Sequence, residues 1–308
     1  MARSVLSAPH FQDEAAAFEY VEAHLWPNGP TCPHCGNADT ARIGRLQGKT
    51  TRPGLRKCYA CRKPFTVRIG SIFEDSHLAL HLWLQVIHLM SAGKKGISTR
   101  QIQRMLNCSM KTAWHLTHRI RAAMTPADTG PMGSEGGTIE ADVTYVGRKP
   151  NTKVRRGTGH VNAVFTLVQR DGTARSSHIP NVRASSIGRV LEKHASRKAH
   201  LQTDEARVFK EMGFNFASHQ TVNHSQDEYA RGDVYTNTVE GFFSILKRGV
   251  YGTYQNISEH HLHRYLTEFD FRYSTRPALG IDDSTRAGLM VKGGKGKRLT
   301  YETVGRAH

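Results

Sequence analysis

The sequence has no uninterrupted run of 18 or more apolar residues, which is the length that a transmembrane helix requires. Its most apolar stretch, Leu78 to Met90, is interrupted by His81, Gln85 and His88 and has the length of a core helix. The first ten residues contain no apolar core typical of an export signal. We therefore expect no membrane association and a cytoplasmic location.

Acidic residues are scarce relative to basic ones. The chain of 308 residues contains 26 Asp and Glu against 43 Lys and Arg, which gives a formal net charge of +17 and a pI of about 9.9. An excess of this size is typical of proteins that bind a polyanion. Nucleic acid is the expected partner. An anionic membrane surface is the alternative, and the absence of long apolar segments disfavours it.

Cysteine is also rare, with five residues in the chain, and a disulfide-stabilised scaffold would be unusual at this length. Four of the five form two Cys-x-x-Cys pairs, Cys32 with Cys35 and Cys58 with Cys61, separated by 22 residues. Four thiolates in this spacing predict a tetrahedral, structural Zn²⁺ site with no open position for substrate. The alternatives are scattered free thiols or two redox pairs. Cys108 is left over and is expected to pack as a small apolar residue.

Composition and hydrophobic periodicity divide the chain into six segments. A short amphipathic helix precedes the cysteine-containing ribbon, and a helical region, a linker rich in Pro and Gly, and an α/β domain follow. The predicted boundaries are 1–27 for the N-terminal helix, 28–73 for the zinc ribbon, 74–126 for the helix-turn-helix region, 127–137 for the linker, 138–276 for the α/β domain and 277–308 for a basic tail.

Two short helices joined by a tight turn are predicted at 98–106 and 111–124. Ser98 and Gln101 have capping-box spacing at the start of the first helix. The pair resembles a DNA-binding helix-turn-helix, and an ordinary basic helical hairpin is the alternative. The residues then expected to reach phosphates or base edges are Lys111, Thr112, His115, His118, Arg119 and Arg121.

The sequence from residue 138 onward alternates between strand and helix patterns. Three strands are expected first, followed by a helix, a strand, a helix, a strand and a long helix. This order predicts an α/β fold with a ribonuclease-H-like core, although other α/β domains share parts of it. The expected ranges are 138–146, 161–169 and 174–179 for the first strands, then 185–195, 199–203, 206–212, 218–223 and a helix from about 238.

Three carboxylates fall where a strand or a helix start would hold them rigidly. Asp142 lies in the middle of the first strand, Asp204 ends the fourth strand, and Glu240 begins the last helix. Lys247 follows Glu240 two helical turns later on the same face. Two Mg²⁺ ions about 3.5–4 Å apart can stabilise both the attacking and the leaving oxygen of a phosphodiester cleavage. The set therefore predicts a site for Mg²⁺ (or Mn²⁺) with Lys247 beside a phosphate.

Each carboxylate also has a purely structural explanation. Asp142 could be a strand-edge aspartate facing solvent, in which case Glu140 on the same face is the fallback ligand. Asp204 could cap the helix that follows it. Glu240 could close a helix start, because Asn237-x-x-Glu240 has capping-box-like spacing.

Several motifs together resemble the bacterial insertion-sequence transposases of the ISXO and Merlin type. They are Cys-Pro-x-Cys-Gly, the helix Lys111-Thr-Ala-Trp…His-Arg-Ile-Arg, Asp142-x-Thr-Tyr-Val-Gly, Thr203-Asp204 and the run from Asn237 to Gly249. The resemblance covers roughly residues 10 to 276. It implies a DDE-type transposase with a zinc ribbon, a helix-turn-helix and a ribonuclease-H-like catalytic domain.

The resemblance also implies roles for particular residues. Asp142, Asp204 and Glu240 would be the metal-binding triad, Lys247 the basic residue after the glutamate, and Asn237 and Arg248 further contacts to DNA. Such an enzyme binds double-stranded DNA at the terminal inverted repeats and in the target, as a homodimer or higher multimer, and it cleaves and joins strands. The alternatives are a non-catalytic DNA-binding regulator and a structure-selective nuclease that never joins strands.

Overall fold

A computed structural model describes residues 4–126, 130–154, 156–170, 172–210, 212–223, 226, 228 and 230–299. The chain divides into two compact units. The first unit draws on Met1–Gly93, Ile97–Thr125 and Asp283–His308, and the second on Lys94–Gly96 and Pro126–Asp282. Within the described ranges, no helix combines the length and the apolar character needed to cross a bilayer.

Helices and strands are interleaved along the chain, which confirms the predicted mixed α/β class. The helices are α1 (Glu14–Leu25), α2 (Leu80–Ala92), α3 (Thr99–Leu106), α4 (Met110–Ala123), α5 (Ala184–His194), α6 (Arg207–Lys210), α7 (Asn237–Gly249), α8 (Glu259–Ser274) and α9 (Asp283–Gly293). The strands are β1 (Ile43–Arg45), β2 (Arg56–Cys58), β3 (Pro64–Phe65), β4 (Thr138–Val146), β5 (Asn162–Gln169), β6 (Ala174–Ile179), β7 (His200–Asp204), β8 (Ser218–Val222), β9 (Ala230–Arg231) and β10 (Val234–Tyr235).

The first unit combines a small β-ribbon with a group of helices. Strands β1, β2 and β3 form an antiparallel sheet in sequence order. The buried residues of this ribbon are Cys32, Ile43, Cys58 and Phe65. A core of this size buries too little apolar surface to be stable by itself, so the ribbon needs a further cross-link.

Helices α3 and α4 are each started by a serine. The Ser98 hydroxyl accepts the Gln101 N–H at 3.2 Å, which is the first half of the predicted capping box. The Ser109 hydroxyl accepts the Thr112 N–H at 3.1 Å. Between the two helices, Asn107 takes the left-handed conformation with φ 48°, which ends α3 and produces the tight turn.

The prediction of a basic tail at 277–308 is wrong over its described part. Helix α9 occupies most of that range and packs against α1, α2 and α4. The approach is close enough that a Cβ atom on Gly293 would meet the Ala123 carbonyl oxygen at 2.1 Å. Basic residues outnumber acidic ones in this segment, whereas the apolar face of α9 depends on few side chains, notably Met290 and Val291. Residues 300–308 lie outside the described ranges.

The second unit contains a five-stranded sheet with the order β6-β5-β4-β7-β8. Strands β4, β5 and β6 form an antiparallel meander, whereas β7 is parallel to β4 and β8 is parallel to β7. The order of strands and helices from β4 to β8 is the predicted one, and the predicted long helix is α7. Because β4 pairs with β5 on one side and β7 on the other, it lies at the centre of the sheet.

Both faces of this sheet are covered. On one face, Ile139 and Ala141 of β4 belong to a core that includes Ile187 and Leu191 of α5. On the other face, β5 contributes to a core formed with α7 and α8. The predicted division of β4 into two faces is therefore confirmed, and Asp142 lies on the face that α7 covers.

Two details differ from the predicted elements. Helix α6 is shorter than the predicted range 206–212, and the hairpin of β9 and β10 was not predicted. Residues 127–129 of the predicted linker lie outside the described ranges, as does Asp171 of the turn between β5 and β6.

Candidate active site and zinc centre

The four paired cysteines form one cluster. The Sγ atoms of Cys32, Cys35, Cys58 and Cys61 all lie within 4.8 Å of one another. The Cys32–Cys61 and Cys35–Cys58 pairs are each 3.7 Å apart. Two sulfurs of a regular tetrahedron with Zn–S bonds of about 2.3 Å are about 3.8 Å apart. The cluster therefore fits the predicted structural zinc ion.

The backbone around the cluster favours thiolates. The Cys61 backbone N–H, which points at the Cys58 sulfur, lowers the pKa of the Cys58 thiol to about 7. Gly36 follows the first pair with φ +73°, a conformation that suits glycine. Arg62 takes the corresponding position after the second pair with φ 61°. Both turns thus have the left-handed residue that closes a metal-binding knuckle.

Three of the six residues predicted to contact DNA from α4 are buried. His118 and Arg121 are 0% exposed and Arg119 is 5% exposed. His118 lies against the Trp114 ring at 4.1 Å, and Arg119 donates to the Glu74 carbonyl. The sequence predicted that one face of α4 would pack against the preceding helix and that the other face would be exposed. Instead α2, α3 and α9 pack against it, and every residue from 116 to 121 is buried.

The other three predicted contacts lie in the N-terminal half of α4. Lys111 is exposed, and Thr112 and His115 are half-buried. All three line a groove with a volume of about 720 Å³. The groove also has acidic residues in its wall, and Arg298 pairs with one of them, Asp75, at 2.6 Å. This end of α4 is the part that a ligand can reach.

Asp142 and Asp204 lie on neighbouring parallel strands. The register pairs Thr138 with His200 and Glu140 with Gln202, and Asp142 and Asp204 are separated by the same number of residues. Continued by two residues, this register places the two aspartates side by side on one face. Because β4 is central, Asp142 is not an edge residue facing solvent.

The alternative explanation for Asp204 is compatible with a site role. Its Oδ1 accepts the Ala206 N–H at 3.1 Å, just before α6 begins. This contact uses one lone pair of a carboxylate that has about four. Asp142 makes a similar local contact, in which its Oδ1 accepts the Val143 N–H at 2.6 Å. Both side chains line the pocket described below.

Glu240 lies in the first turn of α7, and its Oε1 accepts from the Thr236 hydroxyl at 3.0 Å. The first N–H groups of α7 are bound by another residue. The N–H groups of Thr238 and Val239 both donate to Glu140 Oε2, at 2.8 and 3.1 Å. Glu140 therefore closes this helix start at the N–H groups of Thr238 and Val239, and Glu240 is exposed.

The predicted set meets in a single pocket of about 430 Å³. Its lining residues are Asp142, Val143, Thr144, Asp204, Glu240, Phe243, Ser244 and Lys247. Carboxylate and hydroxyl oxygens are the ligands that Mg²⁺ and Mn²⁺ prefer, so the donor set fits a hard cation. The carboxylates are more widely spaced than the cysteines. Among the described residues, the cysteine cluster alone has three or more potential ligand atoms within 4.8 Å of one another.

Asn237 and Arg248 lie at the two ends of α7. Both are exposed. Arg248 bonds within its own helix, donating to the Ser244 carbonyl at 3.0 Å and the Ser244 hydroxyl at 2.9 Å. Their contact with DNA stays a prediction.

A buried hydrogen-bond network behind the pocket was not predicted from the sequence. Glu140, which was predicted as a fallback metal ligand, is 0% exposed and does not line the pocket. It accepts from Arg170 Nε at 2.8 Å and from the Thr238 hydroxyl at 2.7 Å. The one available signal was a second acid on the buried face of β4, since a buried charge requires a partner.

Two segments of the chain match known protein families. Residues 135–274 match the ISXO2-like transposase domain, and residues 12–64 match the transposase zinc-ribbon domain. Residues 135–274 are thus similar to an ISXO2-like transposase domain. The predicted resemblance is thereby confirmed, and the two domains indicate a transposase. The zinc-ribbon match includes α1, which the predicted boundaries had separated from the ribbon.

A curated relative covers nearly the same length. A protein of Halobacterium salinarum, described as an uncharacterized protein in transposable element ISH50, is 25% identical over 279 residues. The similarity covers 85% of this chain and 91% of the relative. It extends beyond either matched domain alone.

Proposed function

We propose that this protein is a DNA transposase whose second unit is a ribonuclease-H-like catalytic domain. One observation carries the proposal: Asp142, Asp204, Glu240 and Lys247 line one pocket inside the ISXO2-like domain. The sheet supports it, because an antiparallel meander followed by two parallel strands puts two of the acids on adjacent strands.

The three carboxylates would hold the catalytic Mg²⁺. When bound there, Mg²⁺ supplies charge stabilisation at the attacking and leaving oxygens of a phosphodiester. The sheet and α7 hold the acids before DNA arrives, so the site needs little reorganisation. Lys247 is exposed at the same pocket and holds a non-bridging phosphate oxygen by charge.

The proposed chemistry consists of two displacements at phosphorus. In the first, a water oxygen bonds to phosphorus at the element end and the P–O3′ bond breaks. One water proton ends on the leaving oxygen, which gives a 3′-hydroxyl and a 5′-phosphate. In the second, that 3′-hydroxyl attacks a phosphodiester of target DNA, so that one P–O bond forms and one breaks. The second step needs no external energy source because the number of ester bonds is unchanged.

The first unit recognises the terminal inverted repeats through the accessible end of α4. In a helix-turn-helix, the N-terminal residues of the second helix contact base edges. Lys111, Thr112 and His115 are in this position, and the proposal leaves out the buried His118, Arg119 and Arg121. Two element ends must be joined to one target, so the protein acts as a homodimer or higher multimer on DNA.

Replacement of one carboxylate tests the catalytic assignment. Asp142→Asn should lower Mg²⁺-dependent cleavage by more than about 100-fold, since even residues outside the ligand shell contribute 10–100-fold. Binding to terminal-repeat DNA should persist. Glu192→Gln is the matched control, because it removes an exposed carboxylate from α5 in the same unit. Parallel loss of binding and cleavage in Asp142→Asn would contradict the assignment.

The same assay separates the rival functions. Terminal-repeat binding without any cleavage by the wild-type protein would indicate a regulator. Hydrolysis without joined products would indicate a structure-selective nuclease.

A further inference from the structure

A hydrogen-bond network includes the residue two positions before each of the three proposed metal-binding carboxylates. Glu140 precedes Asp142 by two residues, Gln202 precedes Asp204 by two, and Thr238 precedes Glu240 by two. In a strand, residues two apart share a face, so a side chain fixed at one position restrains its neighbour at the next. Arg170 links Glu140 to Gln202, and Thr238 bonds Glu140 directly, so the three preceding residues give the site a common anchor.

Glu140 joins β4 to the start of α7. Its Oε2 accepts the backbone N–H groups of Thr238 and Val239, and its Oε1 accepts the Thr238 hydroxyl. A carboxylate in this position satisfies the unpaired N–H groups of the first helical turn and is favoured by the helix dipole. The helix has no side-chain cap from its own N-cap residue, Thr236. The start of α7 is thus held by the strand that carries Asp142.

Arg170 connects the same carboxylate to β7. Its Nε donates to Glu140 Oε1 at 2.8 Å, and its Nη2 donates to Gln202 Oε1. Gln202 also accepts the Tyr235 N–H at 3.0 Å, and the guanidinium lies 3.5 Å from the centre of the Tyr235 ring. The planar guanidinium therefore holds β4, β7 and the segment before α7 in one geometry.

We infer that Glu140 and Arg170 are positioning residues that hold Asp142, Asp204 and Glu240 in the spacing required to bind divalent cations. The inference rests on the proposed function, because it concerns the same pocket. The carboxylates come from two strands and a helix, so a fixed spacing between them requires a contact that holds these three elements together. The Glu140–Arg170 pair does so from the buried side. The geometry of this pair fixes the positions of the three acids relative to one another. Neither residue of the pair is itself a metal ligand.

The same pair could be read as a stabilising ion pair without effect on the site. A second buried pair in the second unit makes the distinction testable. Glu268 is 0% exposed and bonds Arg272 of the same helix, α8. Glu268 does not line the pocket. Glu268→Gln therefore removes a charge of the same kind from the same unit while leaving the three acids alone.

The experiment measures Mn²⁺ binding by calorimetry on the zinc-loaded, full-length protein. The variants are Glu140→Gln, Thr238→Val, Glu268→Gln and Asp142→Asn, each also followed by urea unfolding. Glu140→Gln should raise the Mn²⁺ dissociation constant by roughly 10–100-fold, as loss of an outer partner does. Thr238→Val keeps the side-chain shape and removes one bond to Glu140, so it should show a smaller rise in the same direction.

The possible results distinguish a failure of the positioning role from a failure of the proposed catalytic site. Glu268→Gln should lower the unfolding midpoint and leave the Mn²⁺ dissociation constant unchanged. If Glu140→Gln and Thr238→Val both bind Mn²⁺ like the wild type while Asp142→Asn does not, the positioning role is overturned and the site stands. If Asp142→Asn binds Mn²⁺ like the wild type, the proposed catalytic site itself fails. Thr238→Val keeps the test decisive if Glu140→Gln does not fold.

Discussion

At the scale of single residues, folding strongly alters the protonation of Asp270. It lies on α8 against β6, where its oxygens accept the Ser176 N–H at 2.7 Å and bond the Ser176 hydroxyl at 2.6 Å. Burial raises the pKa of Asp270 to about 7, although both Ser176 contacts and Arg175 oppose the rise. The folded protein therefore holds a proton that the unfolded chain releases near pH 4.

This difference predicts a pH-dependent stability. Because the folded pKa is raised, the contribution of Asp270 is complete below about pH 4 and is lost as the pH rises through 7. Its full size is on the order of 4 kcal/mol, of which roughly 2–3 kcal/mol is lost between pH 5 and pH 8. Asp270→Asn mimics the neutral carboxyl and should remove this part of the pH dependence. The measurement is the free energy of unfolding in urea at pH 5 and pH 8, and equal pH dependence in both proteins would contradict the prediction.

At the scale of elements, the zinc ribbon depends on its metal. Two of the buried residues in its core, Cys32 and Cys58, are themselves predicted ligands. Strands of two or three residues cannot replace the cross-link, since zinc binding supplies much of the folding energy of such ribbons. The helices and the five-stranded sheet have apolar cores of their own.

Cysteine substitutions should therefore act locally. Cys58→Ser should lose bound zinc and become sensitive to proteolysis between residues 36 and 63, because the ribbon loses its cross-link. Cys108→Ser is the matched control, since Cys108 lies outside the cluster. Zinc content by mass spectrometry and mapping of the first cleavage sites provide the measurement. Retention of full zinc content by Cys58→Ser would refute the ligand assignment.

The elements also show how far the sequence could predict the structure. Asp142, Asp204 and Glu240 were proposed from the sequence because each coincides with a local signal, a strand or the start of a helix, and all three line one pocket. Their anchor was missed because the partner of Glu140, Arg170, lies just past the end of a strand and contacts it only after the sheet forms. The burial of the second half of α4 could not be seen because its cover, α9, is far away in sequence. Periodicity reports a buried face but does not identify what buries it.

At the scale of the whole molecule, the net charge of +17 predicts DNA binding that weakens steeply with salt. Each phosphate contact contributes about one unit to the slope of log K against log salt. Lys111→Ala should therefore reduce the slope by about 1, because Lys111 is exposed at the accessible end of α4. Arg121→Met should leave the slope unchanged, because Arg121 is buried. Affinity titrations from 50 to 300 mM salt provide the measurement. A lower slope for Arg121→Met would show that Arg121 contacts DNA after all.

The return of the chain to its first unit through α9 sets an order of completion during synthesis. The second unit is nearly contiguous and can fold once residue 282 has left the ribosome. The first unit still lacks α9 at that moment, although its other helices were made long before. At about 5–20 residues per second, those helices wait roughly ten seconds or more for their cover. A nascent chain thus contains every residue of its carboxylate pocket before the last helix of the unit with the zinc ribbon is made. A chain that ends ahead of α9 would keep the pocket residues and lack that helix.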